Sequence, residues 1–187
     1  MVAFDPVRSV RKLAYNNALA NVRLHQACAA LQSGEFEATR VSFFPSIRAT
    51  LNHILTVDWF YVDALEGGTL GLKAFDVEEP FDRLDELSKQ QADVDRRLVA
   101  FCEDLTPETA MRIVDIRRDG RIQRERADDV LNHLFQHQTH HRGQVHAMLA
   151  GTSVAPPQLD EFIVSDDARF REEELAALNW DETKLMR

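Results

Sequence analysis

Four long stretches of this sequence carry apolar residues at the spacing of an amphipathic helix. When successive residues are placed about 100° apart, the apolar positions of each stretch fall on one face. Breakers such as Ser33-Gly34 separate neighbouring stretches. The predicted helices run from Val7 to Leu31, from Ser46 to Leu65, from Asp82 to Glu103 and from Ala127 to Gly151.

A different pattern separates the third and fourth predicted helices. Arg112–Arg117 and Arg121–Arg126 flank Asp119-Gly120, and Asp-Gly is a strong signal for the two-residue turn of a β-hairpin. The β-branched residues of the first segment favour a strand. We therefore predict a short β-hairpin, whose arginines form either a solvated face or a small patch for an anionic ligand.

The helices, the hairpin and the remaining segment together predict an all-α fold. We expect an up-down four-helix bundle, with the short β-hairpin before the fourth helix and a C-terminal tail after it. Pro156-Pro157 forces an extended start to that tail, and a short helix is predicted from Asp167 to Leu178. The 187 residues suffice for one core, so we expect residues 1–187 to form a single domain.

The fourth predicted helix is rich in histidine. With His133 set at zero on a helical wheel, the buried stripe lies between about 60° and 160°, and His141 falls inside it at about 80°. His137 lies at its edge at about 40°, whereas His133 and His140 lie further round. His137 and His141 therefore form an i, i+4 pair whose imidazoles can converge on one metal ion. The alternative is a hydrogen-bonded histidine cluster without a metal.

The second predicted helix offers further chemistry. Helix bundles build metal sites from side chains on facing helices, which makes His53 the natural third ligand. Asp58 falls within the apolar stripe of this helix, and a core-facing carboxylate needs a partner. It either pairs with an arginine or orients a metal-bound histidine through a hydrogen bond. In the first helix, Asn16, Asn17 and Asn21 either make tertiary hydrogen bonds or are exposed.

Composition and charge exclude several classes of function. The net charge is −9, with the acidic residues scattered, so no basic face for nucleic acid is expected. No apolar run reaches the length of a membrane span and no signal peptide is recognisable, so no membrane association is expected. Cys28 and Cys102 lack the spacing of a metal or redox site, and we predict buried thiols in a reducing compartment. We expect the protein to be cytoplasmic.

Three segments of the chain carry a further signal. They are Ala14-Tyr15-Asn16-Asn17 through Asn21, Ser46-Ile47 through Leu51-Asn52-His53 to Asp58-Trp59, and His137-Gln138-Thr139-His140-His141-Arg142-Gly143-Gln144. Together they resemble the DinB-like (damage-inducible) family of the DinB/YfiT superfamily, in order and over nearly the whole chain. The resemblance implies an up-down four-helix bundle that is often a homodimer. It also implies a divalent ion, zinc or nickel, held by His53, His137 and His141.

Some relatives in that family are thiol S-transferases that use bacillithiol or mycothiol, related isomerases use glutathione, and many members have no known activity. The resemblance implies a metal-dependent transferase that adds a low-molecular-weight thiol to an electrophilic small molecule. Gln144, one turn beyond His140, and Tyr61, on the His53 side of the second helix, are candidate pocket residues by their position. One alternative is a metal-stabilised stress-response or binding module without turnover, closed by His133 or His140 as a fourth ligand. Another is a metal-dependent hydrolase, which Gln138, in place of the glutamate of a zincin motif, disfavours.

Overall fold

Helices make up most of the structure, and one antiparallel β-hairpin interrupts them. The computed structural model describes residues 4–186, so positions 1–3 and 187 of the predicted domain lie outside the described residues. The helices are α1 (Arg8–Ala29), α2 (Ile47–Leu65), α3 (Leu84–Glu103), α4 (Pro107–Ala110), α5 (Ala127–Leu149), α6 (Glu172–Leu178) and α7 (Glu182–Met186), and the strands are β1 (Ile113–Arg118) and β2 (Arg121–Arg126). The predicted hairpin before the fourth long helix, α5, is confirmed. None of the helices within residues 4–186 combines the length and the apolar content needed to cross a membrane.

The long helices begin close to the capping residues that the sequence offers. Ser46 precedes α2, and its Oγ accepts a hydrogen bond from the backbone N–H of Ala49 at 3.0 Å, which satisfies one unpaired N–H of the first turn. Before α1, Oδ1 of Asp5 accepts from the N–H of Val7 at 3.1 Å. Both α1 and α5 end two residues earlier than predicted, because the residues just before a terminating glycine belong to turns.

The four long helices share one apolar core. α1 and α2 each pack against both α3 and α5, so α1 and α3 flank the α2–α5 contact that carries the histidines. Fully buried core side chains include Leu19, Leu24, Ile54, Leu55, Leu131 and Leu134. Burying each of them stabilises the fold by roughly 1.5–3 kcal/mol. The predicted buried thiols of Cys28 and Cys102 are confirmed, and burial raises the pKa of each to about 12.

The β-hairpin packs its inner face against α2. Its turn is Asp119-Gly120, and Gly120 has φ +63°, as the predicted turn type requires. Side chains alternate between the two faces of a strand, and Val114 and Ile116 of β1 are buried, so Arg118 shares their inner face. The other arginines of the segment are exposed, namely Arg112, Arg117, Arg121, Arg124 and Arg126. The solvated-face interpretation therefore holds for these five and not for Arg118.

A buried arginine shapes the C-terminal tail. Arg171 is 0% exposed and donates hydrogen bonds to Glu182 and to the carbonyl oxygen of Val164, the latter at 2.9 Å. The prediction of one continuous helix from Asp167 to Leu178 is wrong. A 3₁₀ helix spans Ser165–Phe170 and α6 begins only after Arg171, because Arg171 leaves the helical conformation (φ −123°, ψ 12°).

Further contacts fix the tail to α1. Arg23 of α1 donates to Glu174 of α6 at 2.7 Å, and its guanidinium lies 4.5 Å from the centre of the Phe162 ring. The ring of Trp180 meets that of Tyr15 edge to face, with centres 5.0 Å apart. The tail therefore covers one side of α1 through both charged and aromatic contacts.

Candidate metal centre

Three histidines meet in the contact between α2 and α5. The Nε2 atoms of His53 and His137 are 3.2 Å apart, and one ring nitrogen from each of His53, His137 and His141 lies within 4.8 Å of the other two. His141 is buried and the other two are half-buried. The structure thus brings together the three residues that the helical wheel and the facing-helix argument selected.

A buried glutamine fixes the relative position of the two helices at this point. Gln138 follows His137 in α5 and is fully buried, and its Nε2 donates a 3.0 Å hydrogen bond to the carbonyl oxygen of Ile54, the neighbour of His53 in α2. A buried amide without its partner would cost about 1–3 kcal/mol, so this bond favours the register in which His53 and His137 face each other. In the sequence, Gln138 stands out only for the glutamate it replaces, and nothing there points to this role.

The tautomer of His141 follows from its contact with Gln144. His141 Nδ1 lies 2.8 Å from Gln144 Oε1. An amide oxygen can only accept, so Nδ1 carries the proton and Nε2 keeps a free lone pair. Burial lowers the pKa of His141, and it lowers the pKa of His53 and of His137 to about 4. The three rings are therefore neutral at pH 7, which is the form that binds metal ions.

The spacing of the nitrogen atoms fits a divalent ion. Tetrahedral coordination at the Zn–N distance of 2.0–2.1 Å places two ligand nitrogens about 3.3 Å apart, and the Nε2 atoms of His53 and His137 are 3.2 Å apart. Neutral imidazole is a suitable ligand for both zinc and nickel. The donor set therefore fits a metal ion without selecting between these two.

Aromatic side chains cover one side of the histidine cluster. The centre of the Phe44 ring lies 4.3 Å from that of His53 and 5.6 Å from that of His141. Phe43 meets Phe44 edge to face and is 79% exposed, and Val41 is also exposed. The connector between α1 and α2 therefore forms an apolar rim beside the histidines. This rim was not predictable from the sequence, because its residues lie outside any periodic pattern.

The other predicted histidines lie next to the cluster but outside it. The rings of His133 and Tyr61 are in contact with centres 5.3 Å apart, and the His133 ring centre is 6.1 Å from that of His137. His140 is exposed, and its Nε2 lies 3.1 Å from Nε2 of Gln144. Across residues 4–186, His53, His137 and His141 are the only group of three or more metal-binding side chains this close together.

A comparison with known proteins gives the family of the chain. The profile of the DinB family matches residues 7–175. The chain belongs to the DinB family. It is similar in structure to a DinB-like protein from Bacillus cereus ATCC 10987, with a TM-score of 0.55 and 18% identity over 77% of this chain and 91% of that one. At this identity the likeness shows the fold alone, and no curated protein matches the sequence.

Two buried carboxylates of this DinB protein belong to a polar network between its helices. Oδ2 of Asp58 accepts from Nε2 of Gln91 at 2.7 Å, and the same Nε2 donates to Asp95 of α3 at 3.2 Å. Burial raises the pKa of Asp58 to about 6 and that of Asp95 to about 7, and the Arg142 guanidinium opposes both shifts. No hydrogen bond of Asp58 within the described chain reaches a histidine. Asp58 therefore bonds to a glutamine of this network, and Arg142 acts on it only as a nearby positive charge. Among the described residues Asp58 makes neither a direct ion pair with an arginine nor a direct hydrogen bond to a histidine.

The same network joins α5 to α1. Nη1 of Arg142 donates to Oδ1 of Asn17 and, at 3.1 Å, to Oδ1 of Asn21. The amide nitrogens of the two asparagines donate to Asp95 at 3.1 and 3.0 Å. Both asparagines are buried, so the prediction of tertiary hydrogen bonds is correct for Asn17 and Asn21, whereas Asn16 is half-buried. Their i, i+4 spacing was the signal available in the sequence, whereas nothing in it singled out Asp95, Gln91 or Arg142.

Proposed function

We propose that this DinB protein binds one divalent ion, zinc or nickel, through His53, His137 and His141, and uses it to transfer a low-molecular-weight thiol to an electrophilic small molecule. The observation that carries the proposal is a group of three ring nitrogens within 4.8 Å of one another, with no fourth ligand among residues 4–186. Three protein ligands with an open position are typical of catalytic zinc sites, whereas structural sites have four. Membership of the DinB family supports the same proposal.

The chemistry divides between the ion and the chain. His53, His137 and His141 would hold a divalent ion, which would lower the pKa of a thiol bound beside it and so make the thiol a nucleophile near neutral pH. The S–H proton leaves to solvent, the sulfur forms a bond to an electrophilic carbon, and the displaced electron pair departs with the leaving group. Gln144 keeps Nε2 of His141 available, and Phe44 excludes water from one side of the cluster.

The surroundings of the cluster suit two chemically different substrates. The exposed rim of Phe43 and Val41 offers an apolar surface for the carbon skeleton of an electrophile. Near His137, the half-buried ring of Tyr61 and the exposed ring of His133 present polar groups. A transferase must bind both of its substrates beside one reactive centre.

The first rival is a binding module in which a fourth histidine ligand completes the coordination of the metal. The geometry favours the open site, because the His133 ring packs on Tyr61 and Nε2 of His140 contacts Gln144. The second rival is a hydrolase, which needs a base beside the metal. Gln138 is an amide that donates to a backbone carbonyl, so it cannot accept the proton.

We also propose that the long helices have up-down four-helix-bundle topology and that residues 1–187 form one domain. The family resemblance supports a homodimer, and the composition supports a cytoplasmic protein without nucleic-acid or membrane partners. Light scattering on the purified protein tests the oligomeric state, since a dimer has twice the mass of 21.4 kDa.

Metal content tests the proposed function most directly. Protein purified without an affinity tag should contain about one equivalent of metal per chain, and His53→Ala should lose it because only two of the three protein ligands remain. His146→Ala is the matched control, since His146 lies on α5 outside the cluster. Equal metal in wild type and His53→Ala, or none in either folded protein, would contradict the proposal. Wild-type protein loaded with metal should then transfer thiols to electrophiles. If no thiol that is tested is transferred, the result would favour the binding module.

A further inference from the structure

A cleft of about 370 Å³ lies beside the histidine cluster, between α2, α5 and the inner face of the hairpin. The side chains that matter for its chemistry are Tyr61, Arg118, Gln123, Glu125, Asp129 and His133. The His133 ring joins the cleft to the cluster, because its centre lies 6.1 Å from that of His137. Phe44 contacts His53 and His141 instead, so the cleft and the apolar rim adjoin different members of the cluster.

Arg118 places a fixed positive charge in this cleft. Its Nε donates to Oε1 of Gln123 at 2.9 Å, its Nη2 lies 3.4 Å from the Tyr61 hydroxyl, and its Cζ is 4.6 Å from the centre of the Phe60 ring. Unlike Arg124, which pairs with Asp115 on the outer face of the hairpin, Arg118 has no carboxylate within ion-pair distance in the described chain. A half-buried, stacked guanidinium with unused N–H groups is a ready partner for a carboxylate.

Negative charge lines the other part of the cleft. Glu125 accepts a 2.9 Å hydrogen bond from Nε2 of Gln123, so Gln123 stands between Glu125 and Arg118. Asp129 adds a second carboxylate to the lining, and neither acidic side chain forms an ion pair within residues 4–186. The cleft therefore presents a cation and carboxylates that do not neutralise each other. A ligand that carries both a carboxylate and a protonated amine complements this arrangement.

We propose that the cleft binds the amino-acid end of the thiol co-substrate, with its carboxylate on Arg118 and its ammonium group near Glu125 and Asp129. This inference rests on the proposed thiol transfer and specifies which thiols the protein accepts. It selects thiols that carry a free amino-acid group over thiols whose polar part is an uncharged sugar.

The position of the cleft also sets the length of the thiol. His133 precedes His137 by four residues, Asp129 precedes it by eight, and Tyr61, which contacts Arg118, follows His53 by eight. At a rise of 1.5 Å per residue the cleft therefore extends roughly 6–12 Å from the cluster along the helices. In free cysteine the sulfur is three bonds from the carboxylate carbon, which is too short to reach both places. An extended thiol of peptide size, with a spacer between its sulfur and its amino-acid group, spans the gap.

Calorimetric titration with S-methylglutathione tests the inference on the protein as purified. The methyl group blocks the sulfur, so binding reports on the cleft and requires no turnover. Arg118→Gln should weaken binding about tenfold or more, since a hydrogen bond to a charged group is lost, and Arg118→Lys should restore part of it. Arg124→Ala removes one positive charge from the outer face of the hairpin instead, and this variant should bind S-methylglutathione as wild type does. Glu125→Gln should weaken the binding of S-methylglutathione but not that of its N-acetyl derivative, which lacks the ammonium group.

Two results would overturn the inference: no binding of S-methylglutathione by folded wild type, or equal binding by wild type and Arg118→Gln. Circular dichroism of the variants identifies any that fail to fold. If Arg118→Gln does not fold, the comparison of Arg118→Lys with wild type still tests the inference. If binding depends on Arg118 but no thiol is turned over, the result supports ligand binding in the cleft and contradicts the proposed thiol transfer. If thiols are turned over equally well by wild type and Arg118→Gln, the result supports thiol transfer and overturns the proposal that the cleft binds the thiol.

Discussion

Nδ1 of His141 lies 2.8 Å from Oε1 of Gln144, which follows it by one turn of α5. The glutamine thereby sets which ring nitrogen of His141 faces the cluster. Groups that orient metal-binding histidines in this way typically contribute 10–100-fold to metal affinity. The two residues therefore act together, although only one of them is a ligand in the proposed site.

The first prediction concerns this pair. Gln144→Leu should lower the affinity for Zn²⁺ by about 10–100-fold, because His141 loses the acceptor that holds its tautomer. Gln144→Glu should retain the affinity, since a carboxylate oxygen also accepts from Nδ1. Competition with a chromophoric chelator measures both. Wild-type affinity in Gln144→Leu would show that Gln144 does not position the ligand.

The second prediction separates three ligands from four. His133→Ala and His140→Ala should each retain the metal content of wild type, because neither ring belongs to the cluster of close nitrogen atoms. Elemental analysis of the two variants and of their double variant gives the answer. Loss of the metal from either single variant would identify a fourth ligand and favour the binding module.

The third prediction concerns the buried network around Arg142. Arg142→Met should reduce the free energy of unfolding by about 3–5 kcal/mol, because it leaves buried carboxylates without their positive partner. Adding Asp95→Asn should recover part of this loss by removing one of the unpaired charges. Urea denaturation at pH 7 measures each value, with Arg96→Ala as an exposed control. A destabilisation no larger than that of the control would contradict the prediction.

The fourth prediction is a pH dependence that arises from His25. The ring is buried, its Nδ1 contacts Ser88 Oγ at 2.7 Å, and burial lowers its pKa to about 4. The unfolded chain binds a proton near its ordinary pKa of about 6.5, so stability is lost as the pH falls from there towards 4, by up to about 3 kcal/mol. His25→Gln should show a flatter profile in urea denaturation between pH 7 and 4. An identical slope in both proteins would contradict this.

The fifth prediction compares two glycines. Gly71 has φ +55° and a Cβ there would lie 2.8 Å from Cβ of Arg117, so Gly71→Ala should destabilise the protein by about 1–3 kcal/mol. Gly143 lies inside α5 with no atom within 4 Å of an added Cβ, so Gly143→Ala should stabilise it by about 0.5–1 kcal/mol. The two melting temperatures should therefore shift in opposite directions. A shift in the same direction would contradict one of the two arguments.

The four long helices, the hairpin and the side of α5 that carries the cluster were predictable because helical periodicity and turn signals are local properties of the sequence. The wheel put His137 and His141 on one side, and packing of α5 on α2 brought them to His53. The partners of buried polar groups were not predictable in this way. Asp95 and Arg142 look like ordinary polar-face residues on their own helices, and their burial depends on three helices meeting.

Irregular segments were the least predictable. Arg171 looks like a surface arginine in a charged stretch, yet it is 0% exposed and interrupts the helix predicted there. Arg118 is one of many arginines in the hairpin, and only the register of β1 turns it inward. In both cases the decisive information is which distant residues surround the side chain.

The attachment of the tail to α1 has a consequence for biosynthesis. Arg23 and its partner Glu174 are 151 positions apart in the chain. Because ribosomes add about 5–20 residues per second, Glu174 is synthesised about 8–30 s after Arg23, and the contact cannot form before then. Until then its tail-facing side, including Arg23 and Tyr15, lacks the cover it has in the finished fold. We therefore expect nascent chains to be the form of this protein that depends most on chaperones.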